Sequence, residues 1–355
     1  MILIQLVFCE EPLSLLQRQC ENFQFSDLLN RAAYEDRSYM RLCLVTAFCI
    51  GGYSFHKNRF FKPLNPILGE TYEYIDDNLK FRFFAEQVSI DPLISAVHVE
   101  GEGYMFNSNL KISSNHQIKK DLLEISTSGQ SEIYFQKFDE VITFSKPRII
   151  IKNFCSFEKK LVIQLVGKLI VYNNKTKEKC EIIMNEGNDE IEDYGNFSGN
   201  LYGDDGKIFA KIEGNVWSHI NLFIIKENFL ETVCVYKNFI NSGPEKFYFN
   251  EFISNLNHLS DDLRNVLPPT DSRLRKDLRA LELQDYERAL KEQKKIEENE
   301  RNLYKSYVDL KMVYQPKYFV KEFDNEKCEI RYIYSGDYWL DRNNKNLQKF
   351  PKLFS

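Results

Sequence analysis

The chain has no apolar run approaching the roughly 20 residues that a helix needs to cross a bilayer. Residues 1–8 are apolar, but Glu10, Glu11 and Pro12 end the run without the basic start of a secretory signal. Positive charge is not in excess: 47 Lys and Arg stand against 52 Asp and Glu, a net charge of -5, which gives no case for nucleic acid. Eight cysteines at 9, 20, 43, 49, 155, 180, 234 and 328 form no C-x-x-C, and the five histidines are dispersed. Neither a disulfide framework nor a metal site is expected; the thiols read as buried or inert. No repeat and no low-complexity linker divides the 355 residues. These absences describe a cytoplasmic, single-domain chain that needs no cofactor.

What the chain has in quantity is aromatic side chains, 28 Phe and 20 Tyr. Such loading suits a large β-rich core or a lipid-lined cavity. Residues 13–50 show helical spacing, with Ser26-Asp27 as a helix start. From 71 to about 225 the pattern becomes short alternating runs, such as Phe81–Phe84, Leu161–Leu165 and Lys168–Tyr172, with Asp204-Asp205-Gly206 between two more. Many strands at hairpin spacing predict a meandering antiparallel sheet closing toward a barrel. Residues 251–265 read as helix, Leu267-Pro268-Pro269-Thr270-Asp271 as a break, and 274–312 as one long charged helix. A stripe of Leu278, Leu281, Ala289, Ile296, Leu303, Tyr307 and Leu310 predicts that this helix packs along its length. Glu329–Tyr334 reads as a late strand. The expected fold class is therefore α+β.

Four separated stretches carry a family likeness: Glu11-Pro12-Leu13-Ser14-Leu15-Leu16; Lys62-Pro63-Leu64-Asn65-Pro66-Ile67-Leu68-Gly69-Glu70-Thr71; Glu86-Gln87-Val88-Ser89-Ile90-Asp91-Pro92-Leu93-Ile94-Ser95-Ala96; and Leu267-Pro268-Pro269-Thr270-Asp271-Ser272-Arg273-Leu274-Arg275. In order and spacing they resemble the lipid-binding domain of oxysterol-binding proteins, whose signature reads Glu-Gln-Val-Ser-His-His-Pro-Pro-Ile-Ser-Ala. The resemblance implies an incomplete antiparallel β-barrel around an apolar lipid tunnel, flanked by N-terminal helices and a long late helix. Residues 1–70 would carry the helices and the remnant of a lid over the tunnel mouth, 71–235 the barrel, and 236–355 a helical part with a terminal strand. Function would be non-enzymatic: extraction of a sterol or phospholipid from one membrane and its delivery to another, by a monomer that meets membrane surfaces peripherally.

The resemblance also implies a head-group site. Lys62 and Asn65 stand at family positions, as do Glu297 and Arg301 on the late helix, while the family's lysine position holds Gln293 and its histidine pair is replaced by Ile90 and Asp91. A phosphate needs converging donors, and an aliphatic group and a carboxylate offer none. Losing three charge-assisted bonds weakens binding by on the order of 4–8 kcal/mol, so phosphatidylinositol 4-phosphate is expected to bind weakly or not at all. A rival reading keeps the fold but makes the chain a membrane-associated interaction or sensor protein with a decayed lipid site. A hydrolase built on Ser89, Asp91 and His98 is disfavoured, because no G-x-S-x-G elbow is present.

Overall fold

The computed structural model describes residues 10–54, 59, 61–117, 121–129, 131–153, 161–184, 195–225, 228–235, 247–325, 328–347, 350–351 and 353–354. The expected lid remnant at 1–9 lies outside the described residues.

The chain enters as β1 (Glu10–Ser14), which pairs in parallel with β2 (Lys62–Leu64). Between them lie α1 (Leu15–Cys20), a 3-10 turn, α2 (Ser26–Tyr34) and α3 (Ser38–Gly51). Ser14 caps α1 through a reciprocal capping box with Gln17, which satisfies donors that the first turn would leave open. Ser26 begins α2 as expected, but its hydroxyl donates to the Leu79 carbonyl instead of capping.

α3 is buried on every side from Met40 to Gly51. That is the pattern of a helix enclosed by other elements rather than resting on a surface.

What encloses it is one large antiparallel sheet. Its strands are β3 (Thr71–Asp76), β4 (Phe81–Ile90), β5 (Leu93–Gly101), β6 (Tyr104–Gln117), β7 (Leu122–Ser128), β8 (Ser131–Phe135), β9 (Glu140–Phe144), β10 (Arg148–Lys152), β11 (Val162–Asn173), β12 (Lys179–Met184), β13 (Asn196–Tyr202), β14 (Ile208–Asn215), β15 (His219–Ile224) and β16 (Phe229–Val235). The path runs from β3 through β4, β5, β6, β7, β10 and β11 to β16, with β8 and β9 bridging β6 to β11 by a second route. Among the described residues β3 and β16 stand at opposite ends of this path and do not pair, so the barrel is incomplete. The two runs read separately at 161–165 and 168–172 are one strand, β11, continuous through Gly167.

Period-two alternation sets the inner face. Leu165, Leu169 and Val171 of β11, Cys180, Ile182 and Met184 of β12, and Ile220, Leu222 and Ile224 of β15 are buried with Phe48 and Ile50 of α3 in one apolar cluster. Each such side chain contributes about 1.5–3 kcal/mol by leaving water. Of the cysteines expected to be inert, Cys20, Cys43, Cys49 and Cys180 are buried; Cys328 is exposed.

The late chain departs from expectation in two ways. The helical stretch at 251–265 is two short helices, α4 (Glu251–Asn255) and α5 (Asp261–Val266), each capped by a side chain, Asn250 and Ser260. The single helix expected over 274–312 is α6 (Lys276–Glu282) and α7 (Tyr286–Asp309). The break is local: Gln284 has φ 59, and Asp285 accepts from the Arg288 N–H to start α7 afresh. Leu278, Leu281, Ala289 and Ile296 of the apolar stripe are buried, but Leu303 and Leu310 are exposed, so only the first half of the stripe packs. A hairpin of β17 (Phe319–Asp324) and β18 (Glu329–Tyr334), then α8 (Tyr338–Asn343), closes the chain. Phe84 and Tyr338 stack at 3.8 Å between centroids, which docks this end on β4.

Candidate functional site

The four motifs meet at a buried carboxylate. Glu70 accepts from the hydroxyls of Ser14 at 2.5 Å and Ser272 at 2.7 Å, from the Arg275 guanidinium at 2.8 Å and from the Ile67 N–H at 3.1 Å. Arg275 also bonds Asp277 and the Asn65 carbonyl. One anion thus gathers the Glu-Pro-Leu-Ser, Lys-Pro-Leu-Asn-Pro and Pro-Pro-Thr-Asp-Ser-Arg segments. The signature string joins the same frame: Gly69 N–H donates to the Gln87 carbonyl, and Gln87 N–H to the Glu70 carbonyl. Gly69 has φ 81, and a Cβ there would lie 2.9 Å from the Tyr314 hydroxyl oxygen, so both backbone and space require glycine. Glu86 accepts the N–H groups of Lys317 and Tyr318 and the Tyr314 hydroxyl. Burial outweighs these bonds and raises its pKa to about 6.

On this frame the expected head-group residues are placed as follows. Lys62 is exposed on β2, its ammonium 4.0 Å from the Glu10 carboxylate of β1. Glu10 is buried and its pKa is raised, burial outweighing the pull of Lys62 and of the Gln293 amide. Gln293 donates to both Glu10 oxygens at 3.3 Å. Lys62 and Gln293 are therefore brought together, and Glu10 is the residue that joins them. Nothing in the sequence singled it out, because a glutamate before Glu-Pro-Leu-Ser carries no pattern. Asn65 holds the frame through its backbone carbonyl and leaves its side chain exposed.

Glu297 and Arg301 are exposed on α7. A step of four advances about 40° around an α-helix, so positions 293, 297 and 301 lie within about 80° on one side of α7. The residue that α7 does send inward is Glu300, one short of Arg301, which accepts the Leu68 N–H at 2.9 Å. Burial raises its pKa as well. Lys62 thus stands beside the buried acid Glu10, on which the Asp277 carboxylate also acts.

Ile90 and Asp91 lie at the tip of the β4–β5 hairpin, with Asp91 exposed in the turn before Pro92. His98 pairs with Phe84 across β4–β5, while Ser89 is five residues further along. At about 3.4 Å per residue that is about 17 Å, so the serine and histidine make no catalytic pair. His98 instead stacks on Tyr334 and bonds Asn107.

Two side chains mark the interior. Lys146, which follows β9, and Tyr53, which follows α3, are surrounded by protein yet each keeps accessible surface. Among the described residues no group of three His, Cys, Asp or Glu is placed to hold a metal, and no helix is long and apolar enough to cross a membrane.

A large antiparallel, incomplete barrel closed around a helix, with a polar cluster at one rim, is the architecture of an intracavity lipid-binding domain. The comparisons with known proteins agree. Residues 4–343 match the family model described as oxysterol-binding protein. Oxysterol-binding protein-related protein 6 of Mus musculus is 31% identical over 343 residues, which cover 96% of this chain and 35% of the relative. Oxysterol-binding protein-related protein 1B of Arabidopsis thaliana is 32% identical over 359 residues, 98% of this chain and 70% of the relative. Among solved structures, the Osh1 ORD domain in complex with cholesterol superposes with a TM-score of 0.89 at 26% identity, covering 98% of this chain and 85% of that one. The Osh3 ORD in complex with PI(4)P from Saccharomyces cerevisiae gives 0.83 at 25%, covering 97% and 89%. The chain belongs to the oxysterol-binding protein family. It spans about a third of the length of the mammalian relative.

Proposed function

We propose that this chain is a non-enzymatic lipid carrier of the cytoplasm. It takes a sterol or phospholipid into the barrel at one membrane surface, releases it at another, and grips phosphatidylinositol 4-phosphate weakly or not at all. Membership of the family and the likeness to domains solved with cholesterol and PI(4)P support lipid binding. The observation that carries the head-group reading is the Lys62–Glu10–Gln293 cluster. The cation left at the family's lysine position already faces a carboxylate, the second lysine position is an amide, and the histidine positions are Ile90 and Asp91. A phosphomonoester at Lys62 would have to displace Glu10, a like charge. A sterol or a zwitterionic or singly charged phospholipid meets less opposition. The test is a binding panel of cholesterol, phosphatidylserine and phosphatidylinositol 4-phosphate, read by one-to-one capture from vesicles in native mass spectrometry. Capture of the first or second without the third is expected; tight, saturable capture of the third overturns the head-group reading, and capture of none overturns the carrier reading.

A further inference from the structure

The apolar stripe of α7 outruns the fold that it packs on. Past Ile296 none of the helix's residues is buried. Beyond the Glu300 contact with Leu68 the helix runs on through the nine residues 301–309, about 13 Å. This end is nonetheless firmly built. The Lys311 N–H donates to the Val308 carbonyl and the Met312 N–H to the Tyr307 carbonyl, with Lys311 at φ 52, which closes the last turn. The chain then returns to the frame. Tyr314 sets its ring edge-on to Tyr307 and its hydroxyl on Glu86, whose carboxylate also takes the Lys317 N–H. Residues 301–313 thus form a projection rooted on the frame at both ends.

What this projection shows to solvent is apolar. Leu303, Tyr304, Val308, Leu310, Met312 and Val313 are all exposed, Leu310 to 68% and Val313 to 65%. Leu303, Tyr304 and Val308, with half-buried Tyr307 among them, have the spacing of one helix face. Apolar side chains gathered on a surface in this way mark an interaction site. Charge names the partner. From 301 to 317 the chain has four cations, Arg301, Lys305, Lys311 and Lys317, all exposed, and one acid, Asp309, in a protein whose net charge is -5. A second copy docked across a two-fold axis would set these cations against their own kind. An anionic lipid surface attracts them instead, and tyrosines such as Tyr304 and Tyr307 favour the boundary between head groups and acyl chains.

We propose that the end of α7, residues 303–313, docks the chain on an anionic membrane. Its apolar side chains enter the head-group boundary, and Lys305 and Lys311 meet the lipid phosphates. The proposal rests on the carrier reading and names the surface by which the carrier meets its membrane. Gln293 of the rim cluster rides on the same unbroken helix, so docking here fixes where the rim stands relative to the bilayer. A neutral surface would take the apolar side chains but leave the lysines without counter-charge. Preference for anionic lipid is therefore part of the proposal.

The experiment is flotation of the full chain with vesicles of phosphatidylcholine, and with vesicles of equimolar phosphatidylcholine and phosphatidylglycerol, an anion outside the cargo panel. The parent chain should bind the second at least tenfold more tightly, and high salt should erase that preference. Val308→Asp with Leu310→Asp should weaken binding to the anionic vesicles at least tenfold. Lys305→Glu with Lys311→Glu should bring it down to the level of the neutral ones. Both pairs should keep the parent's urea midpoint and its capture of a fluorescent sterol supplied from cyclodextrin. Undiminished vesicle binding in either pair, or parent binding indifferent to lipid charge, overturns the proposal. So does a dimer of the parent chain that either pair dissolves while vesicle binding persists. Should the aspartate pair not fold, Val308→Gln with Leu310→Gln decides by the same readout. Sterol capture without vesicle binding refutes this inference alone, whereas vesicle binding without capture of any lipid refutes the carrier reading on which it rests.

Discussion

Restoring the lost donors is the sharpest test of the head-group account. The perturbation is Ile90→His, Asp91→His and Gln293→Lys together, which returns three donors and removes one carboxylate. Taken at face value, three charge-assisted bonds contribute on the order of 4–8 kcal/mol. The structure argues for less. Asp91 and Lys62 are exposed and screened by solvent, Glu10 still competes for Lys62, and each new histidine is largely neutral at pH 7. We therefore expect about 2–4 kcal/mol, a gain of thirtyfold to a thousandfold in affinity for phosphatidylinositol 4-phosphate. The assay is sequestration of the labelled lipid from neutral vesicles at pH 6 and pH 8. The gain should be larger at pH 6, where imidazolium is populated, and phosphatidylserine should gain less. A folded triple variant that binds like the parent chain would refute the claim that these positions govern head-group choice.

Other consequences concern the frame. Glu70→Gln removes the anion that gathers three motifs and should cost about 2–4 kcal/mol, read as a lower Cm in urea with an unchanged m-value; an unchanged Cm would show that Arg275 is held by Asp277 alone. Glu86 has its folded pKa raised to about 6, so its protonated form favours the native state. Its contribution is fully present below the unfolded pKa near 4.5 and is lost as pH rises through 6, about 2 kcal/mol in all; Glu86→Gln should remove that amount from the difference between urea titrations at pH 4.5 and 7.5. Gly129 has φ 102, and a Cβ there would sit 1.9 Å from the Asn109 carbonyl oxygen, so Gly129→Ala should cost about 3 kcal/mol or more in thermal unfolding.

The strand-rich middle and the late strand were legible because period-two alternation and turn residues are local signals. Glu329–Tyr334 and the turn at Asp204-Asp205-Gly206 stand where the pattern put them. The break between α6 and α7 was not legible, since Leu-Gln-Asp is compatible with helix and only the tertiary course of the chain requires Gln284 in the left-handed region. Glu10 and Glu300 escaped notice because each acquires its character from partners far away in sequence.

The signature string divides into two kinds of residue, and the division explains how a domain can keep its fold while changing its cargo. Glu86, Gln87 and Ser95 are tied into the frame: Glu86 holds the segment before β17, and Gln87 accepts the Ser95 hydroxyl and pairs through its backbone with Gly69 and Glu70. Replacing any of them leaves a buried donor or acceptor open, at about 1–3 kcal/mol each. Ile90 and Asp91 sit at a hairpin tip where Asp91 is solvent-exposed. Stability constrains the first group strongly and the second weakly. Superposition on a PI(4)P-bound relative therefore reports on the frame, and the head group must be argued from the rim residues themselves.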